Sequence, residues 1–148
     1  MPTFAKEHAQ ADPDGFALVD RRPDGDRVLT WDDVDETLNR CADLLQAAAA
    51  RGALGPDHRV AVFAENSAET ALAHLGALLA GASSVPVNFH LTAEEAAYIL
   101  SDSGSGIVFV GPETAERGLA AAREAGVDVV IGWGCDAVEG VEGVTDWS

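Results

Sequence analysis

The sequence predicts an α/β fold, a parallel sheet with crossover helices preceded by a β-hairpin. Two observations carry that expectation. Three short runs, 59–64, 107–110 and 127–131, are mainly apolar and lack a strict polar alternation, as strands covered on both faces do. Stretches with apolar residues at helical spacing lie between them, and an alternation of strand and helix implies parallel pairing through right-handed crossovers.

Each element follows from its residues. Positions 1–14 are polar and expected to be loose or extended. Phe16-Ala17-Leu18-Val19-Asp20 and Arg27-Val28-Leu29-Thr30 flank a Pro-Asp-Gly turn, which reads as a hairpin. Thr30 with Asp33 three residues on forms an acidic variant of the capping box, opening a helix whose apolar stripe is Val34, Leu38, Cys41, Ala42 and Leu45. Gly52 follows its last turn. The strand at 59–64 leads into a helix at 67–80, with Asn66 as the expected cap. That helix is apolar nearly all round and so expected to be buried. Val85-Pro86-Val87 is extended, and its proline assigns it to a sheet edge or an irregular strand. Thr92 and Glu95 form a second capping box for a helix reaching about Leu100. After the 107–110 strand, residues 113–125 suit a helix closed by Gly126, although Gly118 costs about 1 kcal/mol relative to alanine. From Gly132 the chain is glycine-rich and acidic, and reads as a tail or linker.

The totals narrow the function. A length of 148 residues, 47% hydrophobic and 23% charged, is that of an ordinary globular protein. A formal net charge of −16 with one lysine, Lys6, argues against nucleic acid, whose binding requires cations over phosphates. There is no polybasic stretch for anionic lipid and no run long enough to span a bilayer. Cys41 and Cys135 give neither a disulfide framework nor a metal spacing. With no secretory h-region at the N-terminus, a cytoplasmic location is expected.

The search for chemistry returns little. No GxxxxGK[ST] loop and no GxSxG elbow is present. Gly104-Ser105-Gly106 precedes its strand, whereas a dinucleotide loop follows one, so it reads as a helix stop and turn. Gly132-Trp133-Gly134 follows a strand but opens no helix. Ser83-Ser84 has no suggestively spaced histidine. His8 and His58 lie in loose or turn segments, and His74 reads as a core or rim residue. His90 alone sits at the end of a parallel-type strand, where sites gather. No residue is assigned a catalytic, cofactor-binding or metal-binding role.

Several segments carry a resemblance. Leu29-Thr30-Trp31-Asp32-Asp33-Val34 resembles the L-T-Y-x-E-L motif of the adenylate-forming enzymes, which include acyl-CoA synthetases, peptide-synthetase adenylation domains and luciferases. Leu78-Leu79-Ala80-Gly81-Ala82-Ser83-Ser84-Val85-Pro86-Val87-Asn88 is similar to their L-K-A-G-x-x-x-V-P-[IVL]-[ND]. Gly55-Pro56-Asp57-His58-Arg59-Val60-Ala61-Val62 resembles G-P-G-D-R-V-A-[VL], and Glu65-Asn66-Ser67-Ala68-Glu69 resembles P-N-S-x-E. The run from Asn88 to Ser103 looks like N-x-R-L-T-x-E-E-x-x-Y-I-L-x-D-S, the form of the acyl-CoA synthetase branch. The resemblance spans about 15–131. His58 replaces the usual aspartate and His90 the usual arginine, neither of them a catalytic position in the family pattern.

The resemblance implies an N-terminal α/β subdomain over 15–131, followed by a linker over 132–148. It implies ATP, Mg²⁺ and CoA for a complete enzyme that adenylates a carboxylate and then forms a thioester. The family's phosphate loop, adenine-contacting segment, ribose aspartate, acyl pocket and catalytic lysine are not found here, so the chain is expected to be inactive by itself and to bind no cofactor. Its implied partner is the rest of the same enzyme, with a homodimer possible. The competing expectation is a stand-alone interaction module that pairs with a separate catalytic chain.

Overall fold

A computed structural model describes residues 4–135 and 144–147. The chain runs α1 (Phe4–Ala11), β1 (Phe16–Asp20), β2 (Arg27–Thr30), α2 (Trp31–Ala50), β3 (Arg59–Phe63), α3 (Ala68–Leu79), β4 (Ser83–Val87), α4 (Ala93–Ser103), β5 (Ser105–Val110), α5 (Ala115–Ala125), β6 (Val129–Gly132) and β7 (Val144–Asp146). β1 and β2 form the expected antiparallel hairpin. The other strands make one parallel sheet in the order β4-β3-β5-β6-β7.

The bare apolar strands are explained by helices on both faces. Val60 and Val62 of β3 point to one side with Ile107 and Phe109 of β5, against Leu38, Cys41 and Leu45 of α2 and Leu72 of α3. Ala61, Phe63, Val108 and Val110 point to the other, against Leu100 of α4 and Leu119 and Ala122 of α5. Successive residues of a strand face opposite ways, so each apolar residue in these runs has a layer to enter. β4 lies at the edge, where Pro86 removes no ladder bond that a neighbour needs.

The caps act as their sequences suggest. Thr30 accepts the Asp33 N–H at 3.2 Å, and Asp33 returns an acceptor to the Thr30 N–H at 2.9 Å. Thr92 and Glu95 repeat the arrangement at 3.3 and 2.9 Å. α4 and α5 end on Gly104 and Gly126, both in the left-handed region with φ 64° and 73°.

Four expectations are corrected. The 1–14 segment is not loose throughout: α1 buries Ala5, and His8 stacks on Trp31 with ring centroids 4.4 Å apart. Eight polar-rich residues make a poor helix alone, and here packing against α2 supplies what propensity lacks. The cap of α3 is Ser67, not Asn66, because the Ser67 hydroxyl accepts the Thr70 N–H at 3.1 Å. α3 is not buried all round. It lies on one face of the sheet, and Leu78 is 56% exposed. The 132–148 tail falls partly outside the described residues. Within it, β7 extends the sheet, and Trp147 is buried with its ring edge-on to Phe109 and Trp133, at 5.3 and 5.6 Å. The Trp147 indole N–H has no acceptor among the described residues.

Two helix glycines are required by contact rather than by conformation. A Cβ at Gly76 would enter the Cys41 sulfur, where α3 crosses α2. A Cβ at Gly118 would enter a Val110 methyl and lie 3.4 Å from the Phe63 ring. Gly118→Ala therefore sets about 1 kcal/mol of improved helix propensity against about 1–3 kcal/mol of overpacking. A net loss of stability is expected, read as a lower urea midpoint at unchanged slope.

Candidate functional site

The order of the strands fixes where a site can form. From β3 the chain passes to β4 on one side, then crosses to β5 on the other. Strand order thus reverses at β3 and β5, and the crevice beyond their carboxyl ends is where open parallel sheets hold ligands. A cleft of about 300 Å³ lies there, bordered by Glu65 and Asn66 after β3, Pro112 and Glu113 after β5, Arg22 of the hairpin turn and Trp133 after β6.

Its floor is stapled by hydrogen bonds. Thr114 is fully buried; its hydroxyl donates to the Phe63 carbonyl and accepts the Gly111 N–H at 3.2 Å, tying the ends of β3 and β5 together. The Glu113 carboxylate accepts the Glu65 N–H at 2.5 Å. Thr70 donates to the Glu65 carbonyl, holding the turn that leads into α3.

One wall is an ionic clasp between the hairpin and α3. Asp20 accepts from Arg22 Nε at 2.8 Å and from the Ala68 N–H at 3.4 Å, at the first turn of α3. Glu69 pairs with Arg22 at 3.4 Å and also with Arg27. Burial pushes the Asp20 carboxyl up, but the Arg22 hydrogen bond, the Ala68 amide and the charges of Arg22 and Arg27 outweigh it, and the net direction is down. The Asp33 carboxyl is also lowered, by the Thr30 backbone and side-chain hydrogen bonds.

The cleft's electrostatics follow from this arrangement. Glu65, Glu69 and Glu113 face it with Arg22, whose guanidinium is already engaged by Asp20 and Glu69. A rim with this balance repels anions. Glu69 is itself paired with Arg22 and Arg27, which leaves Glu65 and Glu113 as the rim carboxylates without an ion pair among the described residues.

The residues singled out in the sequence do not converge here. His90 is exposed beyond β4, with its N–H on Asn88 Oδ1 at 3.0 Å and its ring against Phe89 at 4.0 Å. His74 is half-buried on α3 and hydrogen-bonds the Ser84 hydroxyl. His58 sits in the turn before β3 with φ 49°, a left-handed conformation that histidine tolerates better than most side chains. His8 is occupied with Trp31. Gly104-Ser105-Gly106 is a helix stop, where Gly106 packs on the backbone of Ala53 and Leu54. Of Gly132-Trp133-Gly134, Trp133 and Gly134 border the cleft, Trp133 from a buried position. Among the described residues no group of three or more His, Cys, Asp or Glu could hold a metal ion. The sequence gives no sign of the Asp20–Arg22–Arg27–Glu69 clasp. Glu69 is more than 40 positions from its hairpin partners Arg22 and Arg27, and only the docking of hairpin on helix joins them.

Comparison with known proteins agrees with this fold. A sequence model described as AMP-binding enzyme matches residues 5–142. The long-chain-fatty-acid–CoA ligase FadD13 of Mycobacterium tuberculosis is 36% identical over 110 residues, covering 74% of this chain and 21% of that protein. The fatty acid–[acyl-carrier-protein] ligase ScoC of Streptomyces coeruleorubidus is 35% identical over 106 residues, covering 72% of this chain and 19% of that protein. The crystal structure of the N-terminal domain of FACL13 from Mycobacterium tuberculosis superposes with a TM-score of 0.70 at 34% identity, covering 86% of this chain and 32% of that one. The chain thus spans about a fifth of the length of these curated relatives.

The lowered carboxyls give the stability a pH dependence of defined sign. A group whose folded-state pKa lies below its unfolded value stabilises above the unfolded value and stops doing so as pH falls through the folded one. Stability is therefore expected to hold near neutrality and drop below about pH 4. Asp33→Asn should reduce the difference in urea midpoint between pH 7 and pH 3; an unchanged difference would contradict the assignment.

Proposed function

The chain belongs to the AMP-binding enzyme family, and from that premise we propose that it serves as the N-terminal scaffold of an acyl-CoA ligase. In the complete enzyme, ATP and Mg²⁺ activate a carboxylate. Its oxygen attacks the α-phosphorus, pyrophosphate leaves, and the acyl group passes from AMP to the sulfur of CoA. In this reading the groups that touch the reacting atoms and hold ATP, Mg²⁺ and CoA belong to the rest of the enzyme. Its role is to present a rigid parallel sheet against which the remainder of the enzyme packs.

The observation that supports this reading is the acidic cleft at the switch point. A parallel sheet has its ligand-binding crevice there, yet three carboxylates and one engaged guanidinium face it. Phosphate-binding cations and amides then have to come from other polypeptide. Exposed apolar residues agree with a covering partner: Phe16 is 76% exposed and Tyr98 70%. The partner is the rest of the same enzyme, and a homodimer is a further arrangement. Among the described residues no helix is long and apolar enough to cross a membrane, and Cys41, a buried free thiol, suits a reducing, cytoplasmic setting.

Carboxylate-dependent exchange of labelled pyrophosphate into ATP tests the reading. The 148-residue chain is expected to give none above a protein-free blank with fatty acids of short, medium and long chain. Exchange that depends on both the chain and an added acid would overturn it.

A further inference from the structure

On the β4 side of β3 a second cleft, of about 350 Å³, opens between α3 and the carboxyl ends of β3 and β4. Its lining carries no Asp, Glu, Lys or Arg, in a chain with nine basic and 25 acidic residues. The polar groups that line it are neutral. His74 reaches the Ser84 hydroxyl through Nδ1, which leaves Nε2 as its free nitrogen. Asn88 commits its carbonyl oxygen to the His90 N–H and keeps its NH₂, and Asn66 has no side-chain partner among the described residues. Val87 and Phe89 supply an apolar wall.

We propose that this cleft is a binding site for a small uncharged molecule that pairs an amide or hydroxyl head with a short apolar body. Two features of the chemistry lead there. A mostly apolar concavity with a few convergent polar groups is the usual form of a small-molecule site. With no counter-charge in the lining, an ionised ligand loses hydration that nothing in the cleft replaces. Asn66, Asn88 and His74 together offer both donors and acceptors, which an amide uses at once. Burial holds the His74 imidazole below its ordinary pKa, so it is uncharged at neutral pH and adds no attraction for a carboxylate.

Three ligands of nearly equal shape test the proposal: butyramide, butyrate and butylammonium, each titrated into the ¹⁵N-labelled chain at pH 7. Butyramide is expected to shift the Asn66 and Asn88 side-chain amides saturably, with half-saturation on the order of millimolar. Both ions should need about tenfold more. His74→Lys, which places a cation in the cleft, should reverse the order in favour of butyrate. Comparable binding of butyrate to the unaltered chain would overturn the proposal. So would shifts confined to other residues, or no saturable shift with butyramide. The comparison in the unaltered chain decides even if the variant does not fold.

Discussion

β3 and β5 are buried from both sides, and the rest of the molecule is arranged to keep them so. A parallel pair has evenly spaced but slanted hydrogen bonds and no hairpin to close it, so it depends on helices packed over each face. Here α2 and α3 cover one face and α4 and α5 the other. The tolerance is small. At Gly76 and Gly118 there is no space for even a methyl group between helix and core. The crevice above these strands is equally constrained, because buried Thr114 holds their carboxyl ends together.

That architecture explains which parts of the fold could be read from the sequence. The runs at 59–64 and 107–110 lack alternation because both faces are covered, and that pattern is legible without alignment; the third run, expected at 127–131, is strand only from Val129, with Asp128 exposed before it. The two capping boxes were equally legible, since their partners lie three residues apart. Elements that depend on distant contacts were not. α1 is held by Trp31, and β7 by its register on β6, which composition does not record. Gly118 looked like a weakness in its helix; its reason lies in Val110, eight residues upstream and on another element.

The site was less legible than the fold. The family resemblance rests on local strings, and the matches to acyl-CoA and acyl-carrier-protein ligases bear it out. The crevice itself is a product of strand order, and its charge comes from Arg22, Glu65, Glu69 and Glu113 brought in from three separate segments. His58 and His90, the two departures from the family pattern, are accommodated locally. One lies in a left-handed turn, and the other is exposed against Phe89.

The central claim is that the charge balance at the β3–β5 crevice leaves phosphate binding to other polypeptide. Titration of ATP·Mg²⁺ into the isotopically labelled chain, followed through the backbone amides of Gly111 and Glu113–Ala115, tests it most directly. The account predicts no saturable shift at these amides at near-physiological ionic strength. Saturable shifts centred on them, weakening as salt is raised, would contradict it.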